Sequence, residues 1–168
     1  MSQIDEPVDL DAYLHTYEQL QDSIEGLSAE QLCWKANDKT WSVAEVLTHL
    51  ADHNIVVSFR IREILSGSTA TLPAFAQDPW VAGQKANEGR VEDTLDLFRN
   101  LLQYNGRLFG RLTPEEWEKT GVNFKGETVT VSGIVRGFVK HVQGHLGQID
   151  RIKRAESEHR NAGSSRAI

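Results

Sequence analysis

The stretch TVTVSGIVRGFVKHVQGHLGQIDRIKRA, Thr128 to Ala155, decides how this chain is read. Val131, Ile134, Phe138, Ile149 and Ile152 recur on one face at helical spacing, so a long core-facing helix is expected from about Thr130 to Ala155. Alternation over Thr128-Val129-Thr130-Val131 offers a rival reading, a half-buried strand between Glu127 and Val135. Gly133, Gly137, Gly144 and Gly147 lower the helix propensity of the segment, a cost that close approach of a neighbouring helix would offset. His141 and His145 stand four residues apart, about one turn, and both point within roughly 40° of the centre of the apolar face. Two stacked imidazoles in a core need partners, and one metal ion can serve both.

Working outward, the prolines Pro7, Pro73, Pro79 and Pro114 leave long proline-free stretches in which helices can run. Leu10, Leu14, Tyr17, Leu20, Ile24 and Leu27 mark a first long helix over 8–27. Ser42 and Glu45 have capping-box spacing, so a second should start at Ser42 and run to about Leu65. A third is expected over 88–112, weakened near its end by Gly106 and Gly110. The linker from Gly67 to Gln84 holds two prolines together with Phe75 and Trp80, and it should fold back over the bundle as a loop, with Trp80 lining a substrate pocket. Residues 1–155 form one domain on this reading, and 156–168 a polar, flexible tail.

The two halves of the chain also resemble each other. Leu27-Ser28-Ala29-Glu30-Gln31-Leu32 corresponds to Leu112-Thr113-Pro114-Glu115-Glu116-Trp117, each a capped short helix after a long one. The fold class is therefore all-α, an up-and-down four-helix bundle with an internal pseudo-two-fold repeat. At the offset that aligns Thr40-Trp41-Ser42-Val43 with Thr128-Val129-Thr130-Val131, His53 falls on His141.

The second long helix supplies its own pair, His49 and His53. The residue after His49 is Leu50, so the glutamate of the zincin motif is missing. Both histidines lie along one edge of the apolar stripe, with His53 about 40° nearer its centre, and periodicity alone chooses His53 as the ligand to join the pair on the fourth helix. Three or four imidazoles without thiolate or carboxylate suit a divalent transition metal, Zn, Ni, Co or Fe(II).

Composition excludes other classes. The chain has 168 residues, 18 basic and 24 acidic, for a net charge of −6, and no basic stretch that would mark a nucleic-acid binder. No apolar run is long enough for a membrane span, and the N-terminus lacks the pattern of a signal peptide, so a cytoplasmic location without nucleic-acid or membrane partners is expected. The single cysteine, Cys33, reads as a small buried hydrophobe.

Two segments carry a family resemblance. Trp41-Ser42-Val43-Ala44-Glu45-Val46-Leu47-Thr48-His49-Leu50-Ala51 resembles the second-helix signature of the DinB/YfiT-like superfamily, and His141-Val142-Gln143-Gly144-His145-Leu146-Gly147-Gln148-Ile149 resembles its fourth-helix signature. The resemblance implies a metal held by His49, His141 and His145, which displaces His53 to a supporting position, a fourth ligand or a base near the metal. It also implies a homodimer and a small-molecule substrate. The chemistry it implies is activation of a low-molecular-weight thiol or water toward a small electrophile, by S-transfer or hydrolysis. A non-catalytic stress-response or binding module, with its metal structural or absent, is the alternative.

Overall fold

The computed structural model describes residues 7–166. Four long helices are α1 (Leu10–Ser23), α3 (Val43–Leu65), α5 (Val91–Phe109) and α7 (Val131–Ser165). Between them lie the short helices α2 (Ala29–Cys33), α4 (Gln77–Gly83) and α6 (Pro114–Trp117), a 3₁₀ turn at Ala86–Glu88, and a hairpin of β1 (Thr120–Val122) and β2 (Thr128–Thr130). The all-α four-helix bundle read from the sequence is the fold. None of the described helices is long and apolar enough to cross a membrane.

Caps place the helices. Ser42 accepts from the Glu45 amide while the Glu45 carboxylate accepts from the Ser42 amide, and the same reciprocal pair forms at Ser28 with Gln31 and at Thr113 with Glu116. Each half thus runs long helix, short capped helix, long helix, as the internal repeat suggested. The closely packed pairs are α3 with α5, α3 with α7, α1 with α5 and α1 with α7. The two long helices of each half therefore sit diagonally across the bundle, a refinement of the simple up-and-down circuit, because α2 and α6 give the chain the length to cross. This order sets α3 directly against α7, the two helices that carry the paired histidines.

Four local expectations are corrected. The strand and helix readings of Thr128–Val135 each hold in part: Thr128–Thr130 pairs antiparallel with Thr120–Val122, and α7 begins at the next residue. Thr130 is both the last strand residue and the N-cap, its hydroxyl accepting from the Gly133 amide at 2.9 Å. A Cβ on Gly133 would meet that same oxygen at 2.9 Å, so a larger residue there would have to shift the capping hydroxyl. The helix-four glycines do not draw helices together: Cβ atoms on Gly137 and Gly144 would meet nothing within 4 Å.

The linker is not all loop, since residues 77–83 form α4, whose Val81 is buried; Pro79 sits in the first turn, where no amide is required. Finally, α7 does not stop at Ala155 but continues to Ser165. The Arg160 to Glu156 ion pair at 3.1 Å supports the extension one turn apart, and the His159 ring packs on Trp34 with centroids 5.8 Å apart.

Candidate metal centre

His49 on α3 and His141 and His145 on α7 converge on one point. Their nearest ring nitrogens all lie within 4.8 Å of one another. The Nε2 atoms of His49 and His141 are 3.3 Å apart, and those of His141 and His145 are 3.1 Å apart. The one-turn spacing on α7 stacks its pair, and the α3–α7 contact brings His49 across to meet it.

The edge position of His49 on the apolar stripe of α3 does not leave it exposed. Phe75 from the linker stacks on its ring at 5.7 Å and Trp41 packs at 5.0 Å, so His49 is 1% exposed. His53 lies outside the converging trio. Its ring stacks on Phe138 with centroids 5.8 Å apart and comes within 3.9 Å of the His141 ring. Of the two readings, periodicity had chosen His53 and the family resemblance His49; the geometry groups His49 with the α7 pair.

Burial holds these imidazoles neutral. Desolvation first, with repulsion from His145 and His141 adding to it, lowers His49 to about 3. Desolvation and the same kind of repulsion lower His141 to about 4 and His53 to about 2. His145 is lowered by burial, an effect opposed by its hydrogen bond to Gln148. Neutral imidazoles keep a lone pair for a metal.

Gln148 provides the orienting contact. Its Oε1 lies 2.7 Å from His145 Nδ1, and as an acceptor it keeps the proton on Nδ1 and leaves Nε2 bare toward the cluster. The Nδ1 atoms of His49, His53 and His141 are buried without a hydrogen-bond partner among the described residues. Three nitrogen donors aimed at a common point, with no carboxylate or cation among them, fit a divalent transition metal.

A cleft of about 500 Å³ opens beside His145, lined on its walls by Trp34, Trp41, Lys39, Gln148 and Arg151. Trp80, the pocket residue expected from the sequence, does not line it; α4 turns Trp80 outward, 42% exposed, edge-on to Phe75 at 4.9 Å. Trp34 and Trp41 take the place expected of it. Their position ahead of α3 reads equally well as core packing, and only the tertiary fold, which brings the end of α7 alongside, distinguishes the two. Asp52, buried on α3 and hydrogen-bonded by Gln84 at 2.6 Å, is a further polar residue near the cluster, with its carboxyl raised by burial.

An Oceanobacillus iheyensis protein named "Putative metal-dependent hydrolase OB0413" is 24% identical over 137 residues, 81% of this chain and 79% of its own length. The fold matches that of YfiT from Bacillus subtilis, described as "a probable metal-dependent hydrolase with an unusual four-helix bundle topology", with a TM-score of 0.82 at 18% identity over 92% of this chain and 93% of that one. A mycothiol-dependent maleylpyruvate isomerase matches with a TM-score of 0.67 at 11% identity, over 83% of this chain and 58% of that one. Residues 12–149 match the model of the DinB superfamily, and the chain belongs to that superfamily.

Proposed function

We propose that this protein is a metal-dependent enzyme in which His49, His141 and His145 hold one divalent transition metal ion, and that the cleft beside His145 receives a small organic substrate. The convergence of three Nε2 donors without any other group to satisfy them carries the reading. A bound ion of this kind supplies an activated nucleophile near neutral pH, by lowering the pKa of a coordinated water or low-molecular-weight thiol. The metal-dependent hydrolases among its relatives favour water, and the mycothiol dependence of the isomerase favours a thiol.

The chain's own residues orient and enclose. Gln148 holds His145 in the tautomer that presents Nε2. Phe75 and Trp41 cover His49, so water reaches the trio from the cleft side at His145. His53 supports His141 by packing against it and against Phe138, and burial lowers the pKa of its imidazole and keeps it neutral.

The test is metal analysis of the chain purified without a histidine tag, followed by a screen of the zinc-, nickel-, cobalt- and iron-loaded forms. The screen pairs low-molecular-weight thiols with small electrophiles and, separately, offers esters and amides for hydrolysis. Metal-dependent turnover in either arm supports the proposal. A metal that raises the melting temperature without any turnover would leave a non-catalytic module instead.

A further inference from the structure

The cleft beside His145 carries charges that metal binding does not use. Lys39 and Arg151 both line it, and neither has an ion-pair partner among the described residues. By contrast, Lys35 is held by Glu45 at 3.2 Å. Asp78 is the one carboxylate in the lining, so with neutral histidine the lining carries one excess positive charge in a chain whose net charge is −6.

Both cations share the cleft with His145. Arg151 lies six residues beyond His145 on α7, a rise of about 9 Å. Its guanidinium folds back along the helix: a Cβ on Gly147 would stand 3.5 Å from Arg151 Nη1. Arg151 and His145 line the same cleft, whose volume of about 500 Å³ suits a small acid rather than a polymer. Trp34 and Trp41 add flat apolar walls, and His159 backs Trp34 from the far end of α7.

We infer that the cleft binds a small planar carboxylate, with its carboxylate on Arg151 and Lys39, its body against Trp34 and Trp41, and its other end facing His145. The orientation toward His145 rests on the proposed metal chemistry; the anion and aromatic recognition does not. A guanidinium offers a carboxylate two parallel hydrogen bonds, which an amide of the same shape cannot accept.

Benzoate and benzamide are the probes, titrated by ligand-observed NMR against the full chain, both as purified and after chelator treatment. Benzoate is expected to bind at least tenfold more tightly than benzamide in both forms. Arg151→Gln and Lys39→Gln should each weaken benzoate by about fivefold or more and leave benzamide unchanged. Equal affinity for the two probes overturns the inference. So does a benzoate preference that chelation abolishes and the two substitutions leave intact, because the carboxylate would then sit on the metal. A chain that binds no metal yet keeps the preference supports this inference while removing the metal-dependent reading.

Discussion

Two of the bundle's buried polar centres are finished in opposite ways. Around Asn105 the bonds close: its amide nitrogen donates to Ser58 Oγ at 2.8 Å and to the Tyr13 hydroxyl at 3.3 Å, and its oxygen accepts from Arg62 at 2.8 Å. Ser58 in turn donates to the Asn54 carbonyl at 2.6 Å. At the histidine cluster the nitrogens face one another, and three Nδ1 atoms have no partner among the described residues. A closed network ties α1, α3 and α5 together and asks for nothing further, whereas an open one of convergent donors leaves buried polar atoms that a bound ion would satisfy.

Substitutions should separate the two centres. Replacing His141 and His145 together with alanine should reduce metal content from about one ion per chain to none, read by plasma mass spectrometry. The circular dichroism of a helical bundle should persist, since the cluster's imidazoles are a burden to the metal-free fold rather than a support. If the double variant retained its metal, the ligands would have to lie elsewhere.

The two centres should also respond at opposite ends of the pH scale. In the metal-free chain, the unfolded histidines take protons near 6.5, while folded His49 and His141 resist until about 3 and 4. The unfolded state therefore binds more protons in that window, so stability is fully present above about pH 6.5 and is lost as pH falls. Tyr13 is raised to about 12 by burial, opposed by its bond to Asn105 and by Arg62, against an ordinary 10, so its contribution is lost as pH rises past 10. Urea denaturation across pH should show both limbs, and the double histidine variant should make only the acid one shallower, since His49 and His53 stay buried.

Smaller changes refine the contrast. Gln148→Leu removes the acceptor that orients His145 and should weaken metal binding by about 10- to 100-fold without changing the chelated protein's melting temperature. Asn105→Ala should do the reverse, costing about 2 kcal/mol of stability by stranding Tyr13, Ser58 and Arg62, with metal affinity unchanged. Loss of metal in that variant would mean the two centres are coupled. The smallest effect belongs to the caps: Thr113→Ala should cost about 1 kcal/mol and touch neither centre.

Local chemistry made much of this legible in advance. Capping boxes at Ser28, Ser42 and Thr113 are written in residues three apart, and the stripe of α7 in residues three and four apart, so those elements could be read directly. What escaped depended on distant partners. The end of α7 is polar and looks like a tail, yet His159 meets Trp34, more than a hundred residues earlier in the chain. His49 sits at the edge of the α3 stripe, and Phe75, from a linker whose path periodicity cannot trace, joins Trp41 in turning that edge into the interior. The same linker misled the choice of Trp80, because the short helix α4 rotates it away from the cleft.

The central claim is that His49, not His53, completes the ligand set with His141 and His145. X-ray absorption on the zinc-loaded chain and on its His49→Ala and His53→Ala variants tests it directly. Three imidazole nitrogens at about 2.0–2.1 Å are expected in the parent and in His53→Ala, falling to two in His49→Ala. Loss of an imidazole in His53→Ala, with none lost in His49→Ala, would contradict it.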